Sequence, residues 1–471
     1  MKKRVLSLII QVFLFSLFVY GKSDYQLSSE QKRWLSRANR HEKEGWIYLH
    51  IEGTPQVRGF QHGYLLAGEI RESIRVLSER WTYMSAMDWT WFVKQAGEVL
   101  KPGVEKENLE EIDGIVEGLK AAGIASTRDE IIGLNGYMEL IDYWWPTVKD
   151  SLHSHSVERP KESCSSFIAT GSMTADGKIV LAHNTMGSYY EPLCNVIIDI
   201  VPDKGHRILM QTFSGFIHSG TDFFITDAGL VGSETTIGDF YPFDPKGIPE
   251  FSRMRSATQY ASSIEEWCVI MKKGNTGGYA NAWLIGDINT NEIARLELGL
   301  NFIGYEKKKD GYFTGSNVAE DLKILRFETT RDETNIKLSS VARRIRWKQL
   351  MKENAGKIDL GLAEAFEADH YDAWLEKINP GQRSLCGHWE LDQQLYDSYI
   401  PYSPEGTLDG KAVDAEMARQ MSFIARWGSA CGTPFDAASF LDRHTQFEWM
   451  QGLLKDRPTR PWTIFKAGET K

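Results

Sequence analysis

The feature that most constrains this chain is an abrupt change of character at Cys164. Residues 147–163 are polar and include a proline, a composition typical of an exposed loop. After Cys164, two β-rich runs flank Asp176-Gly177, which is a strong short-range hairpin signal. A thiol that opens a strand directly after a cleavable loop predicts an enzyme with an N-terminal nucleophile. Such a chain cuts itself between Ser163 and Cys164.

The freed α-amine would then serve as the base for its own thiol. A cysteine thiol has an ordinary pKa of about 8.5 and an α-amine one of about 7.7 to 8.0, so the pair can exchange a proton near neutral pH. No separate catalytic histidine is required, as in the pairing of threonine with an N-terminal amine. The alternative is that Cys164 is a small buried residue at the start of a strand.

The first residues predict that the protein is exported from the cytoplasm. Lys2, Lys3 and Arg4 precede an apolar run over residues 5–20, and Gly21 follows. This pattern predicts a signal peptide over residues 1–21 and a secreted or periplasmic protein. The competing interpretation is an uncleaved anchor, for which the run is short against the roughly 20 residues of a membrane span.

Charge and cysteine content narrow the class of protein. The net charge of −10 argues against nucleic acid as the main partner. Five cysteines are an odd number for an exported chain, so at least one thiol is unpaired, which fits a reserved nucleophile. All five could equally be free and buried. No ligand spacing indicates a metal, no motif indicates a cofactor, and the oligomeric state is left open.

Periodicity divides the chain near residue 163. Residues 29–146 are mainly helical in pattern, with one short extended piece over residues 47–51. After Cys164 the pattern changes to a run of strands, with helices predicted over residues 255–272, 339–354 and 360–367. This indicates an α+β fold in which a helical light fragment, residues 22–163, accompanies a heavy fragment, residues 164–471.

Three short segments carry a resemblance to known families. They are Cys164-Ser165-Ser166-Phe167, His183-Asn184-Thr185 and Thr314-Gly315-Ser316-Asn317-Val318. In these segments the chain resembles the penicillin acyltransferase-type and phospholipase B-like self-processing cysteine hydrolases, which are N-terminal nucleophile (Ntn) hydrolases. The resemblance implies a four-layer αββα sandwich, cleavage before Cys164, and hydrolysis or transfer of acyl groups from linear amides or esters.

The resemblance also implies roles for particular residues. Cys164 matches the nucleophile, and Asn317 matches an asparagine whose amide helps to hold the oxyanion. Arg343, one of three arginines in residues 343–346, resembles an arginine that bile-salt hydrolases place near the nucleophile. His183 and Asn184, delivered towards the thiol by the hairpin, complete the candidate catalytic set.

One position departs from the pattern. The acyltransferase and bile-salt groups have Asn-x-Asp after the second strand, with the aspartate touching the α-amine, whereas this chain has Asn184-Thr185-Met186. The departure favours the phospholipase B-like group and leaves the partner of the amine to be found. Asp222, which follows Gly220-Thr221, is a weaker candidate because such aspartates commonly cap turns.

The sequence thus predicts an exported, self-processing cysteine hydrolase that acts on a small acyl amide or a lipid, with its light and heavy fragments associated. One alternative is an acyltransferase that uses an amine acceptor. The other is a non-catalytic lipid- or glycan-binding protein on the same fold.

Overall fold

The computed structural model describes residues 25–152, 164–393 and 400–470. The predicted signal peptide and Ser163 lie outside these residues. Within them, no helix combines the length and the apolar character that crossing a membrane requires.

The helices, in chain order, are α1 Ser29–Leu35, α2 Pro55–Leu65, α3 Ala67–Ser85, α4 Trp89–Gln95, α5 Lys106–Ala121, α6 Arg128–Asn135, α7 Trp145–Val148, α8 Glu250–Tyr260, α9 Ile264–Lys272, α10 Leu322–Phe327, α11 Ser339–Glu353, α12 Leu360–Glu367, α13 Ala415–Arg419 and α14 Ala437–Arg443.

The strands are β1 Asn39–Lys43, β2 Trp46–Gly53, β3 Ser165–Thr170, β4 Val180–Asn184, β5 Met186–Ser188, β6 Val196–Pro202, β7 Ile208–Thr212, β8 Phe223–Thr226, β9 Leu230–Thr236, β10 Asn281–Asp287, β11 Glu292–Leu298, β12 Ile303–Lys308, β13 Gly311–Gly315, β14 Tyr371–Asp372, β15 Lys377–Ile378, β16 Glu405–Thr407, β17 Asp409–Asp414, β18 Ser422–Trp427 and β19 Thr463–Lys466.

Two stacked sheets form the centre of the fold. The first has nine strands in the order β1-β2-β6-β7-β8-β9-β10-β11-β12, and the second has six in the order β13-β3-β4-β17-β18-β19. The sheets meet where β3 and β4 pack on β9 and β10. Helices α2, α8 and α9 cover the outer face of the first sheet, and α11 and α12 cover that of the second. The α+β class and the αββα layering expected from the sequence are therefore present.

The predicted light fragment supplies two strands to the larger sheet, and one of them, β2, contains the extended piece predicted over residues 47–51. Strand β2 pairs in parallel with β6, and β1 pairs with β2 at the sheet edge. Buried and exposed residues do not alternate along β2 as they do along a half-exposed strand, because most of its residues are buried. The two fragments therefore share one sheet and one apolar core.

Helices α2 and α5 of the light fragment pack unusually close together. A Cβ atom added at Gly59 would lie 1.9 Å from the Glu111 carbonyl oxygen. The approach positions the Glu111 carboxylate between Arg58, at 2.8 Å, and Arg255 of the heavy fragment, at 3.1 Å. This buried charge cluster ties the helical layer to the sheet layer behind the site.

Two of the helix predictions need correction. The helix predicted over residues 255–272 is two helices, α8 and α9, because the Ser263 side chain accepts a hydrogen bond from the Glu266 N–H and begins a new helix there. Within residues 29–146 the pattern also predicts one helix over residues 129–144, but α6 ends at Asn135 and a π-helical segment, Glu139–Trp144, follows it.

Candidate active site

Cys164 lies immediately before β3 with its side chain 1% exposed. Its φ of 88° lies in the left-handed region that side-chain-bearing residues rarely adopt. A backbone conformation of this kind costs on the order of 1–3 kcal/mol and persists only where the surroundings enforce it. The strain is located at the peptide bond that the sequence predicts to be cut.

The thiol of Cys164 is protonated in this environment. Burial raises its pKa to about 12, and the neighbouring Asp222 carboxylate acts in the same direction. The backbone N–H of Met186 and the Lys411 ammonium oppose the shift. The thiol therefore needs a proton acceptor at its side before it can act as a nucleophile near neutral pH.

The guanidinium of Arg343, on α11, connects three parts of the site. One terminal nitrogen donates to the Cys164 carbonyl oxygen at 2.7 Å and to Ser165 Oγ at 3.0 Å. The other donates to Asn317 Oδ1 at 2.8 Å. Arg343 is fully buried, whereas Arg344 and Arg346 are partly exposed and pair with other carboxylates. Of the three arginines in residues 343–346, the structure brings Arg343 to the predicted nucleophile.

Asn317 lies just after β13, the edge strand that pairs with β3. Its φ is 67°, and its side chain is buried. The amide nitrogen donates to the Thr236 carbonyl at 2.7 Å, while the amide oxygen accepts from Arg343. These two bonds fix the amide orientation and leave the nitrogen as the donor end, as an oxyanion-binding group requires.

Two buried carboxylates lie beside the thiol. The Cys164 sulfur and one carboxyl oxygen each of Asp222 and Glu234 all lie within 4.8 Å of one another. The Tyr279 hydroxyl is 2.7 Å from Asp222 Oδ2 and 2.8 Å from Glu234 Oε1. Burial raises the pKa of both carboxyls, and the charge of Asp222 raises that of Glu234 further, well above its ordinary value. The two carboxyls therefore titrate as a coupled pair in which a proton is favoured on Glu234.

Each carboxyl group of this pair has one oxygen without a partner. Asp222 Oδ1 and Glu234 Oε2 are buried and have no hydrogen-bond partner among the described residues. A buried carboxyl oxygen left without a donor is costly, so it marks a place where a donor belongs. A proton on Glu234 weakens the negative charge that would hold a cation at this cluster.

His183 lies on the same face of the second sheet as the thiol. It is directly opposite Ser166 in the β3–β4 register, and Ser166 is two residues after Cys164. Burial, with the nearby Lys411 charge, lowers the pKa of the His183 ring well below its ordinary value, so the ring is neutral. No hydrogen bond joins this ring to the thiol in the described part of the chain.

Asn184 faces the opposite side of the strand, towards the helices. Its side-chain nitrogen donates to the carbonyls of Glu367, at 2.8 Å, and Leu385, at 3.1 Å. The structure thus brings Cys164, Asn317 and Arg343 into one cluster, with His183 on its sheet face. Asn184 instead binds the backbone of the neighbouring segments.

The sequence analysis did not identify the Glu234–Tyr279 part of this cluster and ranked Asp222 low. Asp222 does end a turn, since its N–H donates to the Ser219 carbonyl at 3.0 Å. A signal was nevertheless present, because Glu234 interrupts an otherwise uncharged strand whose residues are all buried. An acidic residue in such a strand requires a partner or a function.

Comparisons with known proteins find similar sequences over much of the chain. A family model described as phospholipase B matches residues 33–299, which is more than half of the chain. An uncharacterized protein of Archaeoglobus fulgidus is 26% identical over 255 residues, which cover 52% of this chain and 41% of that protein. Phospholipase B-like protein C of Dictyostelium discoideum is 21% identical over 373 residues, 68% of this chain and 63% of that protein. The chain therefore matches less than two thirds of the length of either relative.

A solved structure was also found. A mutant conjugated bile acid hydrolase from Clostridium perfringens aligns with a TM-score of 0.33 and 12% identity, over 56% of this chain and 89% of that one.

Proposed function

The chain belongs to the phospholipase B family, and we propose that it is an exported, self-processing cysteine hydrolase that cleaves acyl groups from linear amides or esters. The observation that carries the proposal is the convergence on Cys164 of a strained backbone, the Arg343 guanidinium and the Asp222 carboxylate. A cysteine that served only packing would need none of these three features. Membership of the family supports acyl hydrolysis as the class of reaction.

The first step of the proposal is cleavage before Cys164. The sulfur attacks the Ser163 carbonyl, the carbon–nitrogen bond breaks, and the thiol proton passes to the departing Cys164 nitrogen. Water then hydrolyses the thioester, which leaves a carboxylate on Ser163 and a free amine on Cys164. Release of the strained φ at Cys164 favours cleavage, and the Arg343 bond to the Cys164 carbonyl holds the residue in place afterwards.

The new amine then becomes the base for the acyl reaction. It takes the proton of the thiol, whose own pKa is too high for the thiol to ionise unaided near neutral pH. Asp222 Oδ1, a carboxylate oxygen without a partner, accepts a hydrogen bond from the ammonium that forms. Asp222 thereby takes the role of the aspartate that Met186 replaces in this chain.

The remaining steps follow from the same groups. The thiolate attacks the substrate carbonyl, and the Asn317 amide nitrogen with a backbone N–H holds the negative oxygen. The ammonium returns its proton to the leaving amine or alcohol, and water releases the acyl group from the thioester. The substrate is a small acyl amide or a lipid ester.

The direct test of this function is to trap the thioester. Purified protein is incubated with a lysophospholipid or an N-acyl amino acid, quenched in acid, digested and analysed by mass spectrometry. We expect the acyl mass on the peptide that begins at Cys164, and free fatty acid without quenching. An added amine acceptor distinguishes transfer, which yields a new amide, from hydrolysis. Fatty acid release without any acyl adduct at Cys164 would contradict the mechanism.

Cleavage is expected to yield two fragments that separate only on denaturation. Every cysteine of the chain lies at or after residue 164, so no disulfide can join the fragments. They share the β2–β6 pairing and buried contacts such as the Gly215 N–H bond to His62 Nε2 at 2.9 Å. We expect one peak in native size exclusion and two bands in a denaturing gel without reductant. Separation under native conditions would contradict the shared core.

Replacement of Asn317 by aspartate removes the proposed oxyanion donor, together with the bond from the same nitrogen to the Thr236 carbonyl. Aspartate keeps an acceptor for Arg343 but has no N–H to donate to the substrate oxygen. We expect kcat to fall about 10²- to 10³-fold, as for loss of one oxyanion donor, with KM changed little. Steady-state kinetics measures both constants, and a rise in KM at constant kcat would assign Asn317 to substrate binding instead.

A further inference from the structure

A second cluster of reactive side chains lies outside the site around Cys164. It consists of His370, Cys386, His388 and Cys431, and their donor atoms all lie within 4.8 Å of one another. His370 lies just before β14, Cys386 and His388 precede the short helix Trp389–Leu391, and Cys431 follows β18. We propose that these four side chains form a tetrahedral site for one zinc ion.

The distances in the cluster match those of a zinc site. With Zn–S bonds of about 2.3 Å and Zn–N bonds of about 2.0 to 2.1 Å, a tetrahedral site puts its sulfur and nitrogen ligands about 3.6 Å apart. His388 Nε2 is 3.6 Å from Cys386 Sγ and 3.4 Å from Cys431 Sγ. One imidazole nitrogen thus faces two sulfurs, an arrangement that a bridging ion explains.

The fourth ligand atom is the Nε2 nitrogen of His370. His370 Nε2 is buried and has no hydrogen-bond partner in the part of the chain that the structure describes. The His370 and His388 rings lie with their centroids 5.2 Å apart and are inclined by 58°. A buried imidazole nitrogen beside two thiols and a second imidazole completes the two-cysteine, two-histidine donor set that zinc prefers.

Groups around the cluster orient these ligands. His388 Nδ1 lies 2.8 Å from Glu390 Oε1, which fixes the ring so that Nε2 faces the sulfurs. Carboxylate–histidine pairs of this kind commonly support metal-binding histidines. The backbone N–H of Thr433 donates to Cys431 Sγ at 3.4 Å, which balances part of the charge of a bound thiolate. The protein supplies all four ligands, so the site is of the closed, structural type.

The position of the cluster gives the ion a defined role. Next to Cys386, the Leu385 carbonyl accepts the Asn184 amide, and a Cβ added at Gly387 would lie 3.3 Å from Met186 Sδ. The backbone N–H of Met186 in turn lies beside the Cys164 thiol. Zinc therefore braces the loop that packs against Asn184 and Met186 at the end of β4, although it takes no part in the acyl reaction.

Two other uses of these residues predict different outcomes. A Cys386–Cys431 disulfide is chemically accessible in an exported protein, because such compartments are oxidising. A catalytic Cys431–His388–Glu390 triad would use one sulfur and would leave His370 and Cys386 without a function. The inference does not depend on the proposed hydrolase activity, because zinc content is measured separately from turnover.

The test is the metal content of the full-length protein, measured by plasma mass spectrometry after dialysis against a weak chelator. We expect about one zinc per chain, the stoichiometry of a closed four-ligand site. Cys386→Ala and Cys431→Ala are each expected to abolish zinc retention. Cys268→Ala, a buried cysteine on α9 away from the cluster, is the matched control and retains zinc.

A second measurement applies even if the variants fail to fold. The wild-type protein is loaded with cobalt(II) in place of zinc, and we expect the visible absorption of a tetrahedral, thiolate-bound cobalt ion. The proposal would be overturned if the purified wild-type protein contained no zinc and also gave no such spectrum with cobalt(II). A Cys386–Cys431 disulfide found by intact mass and thiol counting, or a different resident metal, would also overturn it.

Discussion

Replacement of Cys164 by alanine is expected to leave one uncut chain without measurable acyl hydrolysis. The sulfur is both the proposed cleaving nucleophile and the proposed acyl carrier, so its loss removes both reactions. Loss of a catalytic nucleophile costs about 10⁶-fold in kcat in a well-studied protease, and we expect a fall of at least about 10⁴-fold here. Intact mass under denaturing conditions and a fatty acid release assay measure the two effects.

The matched control for this variant is Cys268→Ala. Both thiols are buried, and burial raises the pKa of each to about 12. Cys268 lies on α9, outside the cluster around Cys164. We therefore expect Cys268→Ala to be cleaved and active. A Cys164→Ala protein that is still cut before residue 164, or still active, would eliminate the proposed mechanism.

Replacement of Arg343 by lysine is expected to have the next largest effect. Lysine keeps the positive charge but cannot bond the Cys164 carbonyl, Ser165 and Asn317 together, because it lacks the planar fork of the guanidinium. We expect self-cleavage and kcat to fall by at least about 10²-fold, since both the nucleophile and the oxyanion donor lose their orientation. The unfolding free energy is expected to fall by about 1–3 kcal/mol for each buried acceptor left unpaired.

Arg344→Lys provides the control on the same helix. Arg344 is partly exposed and pairs with Glu320 through two nitrogens, and lysine keeps the charge of this pair, so the exchange is expected to lower stability by about 1 kcal/mol or less. Rates of cleavage and turnover should match those of the wild-type protein. Equal losses in the two variants would show that α11 stability, and no specific contact of Arg343, accounts for the effect.

Much of the fold around Cys164 could be predicted because its signals are local. The apolar runs over residues 165–170 and 208–212 lie between turn residues and each predict a strand, and β3 and β7 have those bounds in the structure. The start of β3 follows from residues adjacent in sequence, because a polar loop changes there to an apolar strand. The α12 helix is local in the same way, since Asp359 directly precedes it and caps it.

The remainder of the site depends on contacts between distant parts of the chain. Strand β17 lies beside β4 although more than 200 residues separate them, and the buried Lys411–Asp409 pair next to Thr185 comes from that strand. Asp222 sits in an ordinary turn until β8 and β9 bring Glu234 beside it. No local pattern contains the β4–β17 pairing, and the Asp222–Glu234 pair meets the Cys164 thiol only when the two sheets stack.

The four residues of the proposed zinc site share no sequence signal for a related reason. Cys386-Gly387-His388 has no standard metal-ligand spacing, and His370 and Cys431 are separated from it by whole elements. The three segments come together because the Cys386 N–H bonds the Asp369 carbonyl at 3.0 Å and His388 forms a bridge with Gly406. The cluster is a product of the tertiary fold.

The most direct test of the central claim is the intact mass of the purified protein under denaturing conditions, with sequencing of each N-terminus. The account predicts two masses, one of them a fragment that begins at Cys164 and carries a free amine. A single mass that spans the Ser163–Cys164 bond, in a preparation that hydrolyses acyl substrates, would contradict it. In that case the amine proposed as the catalytic base would not exist.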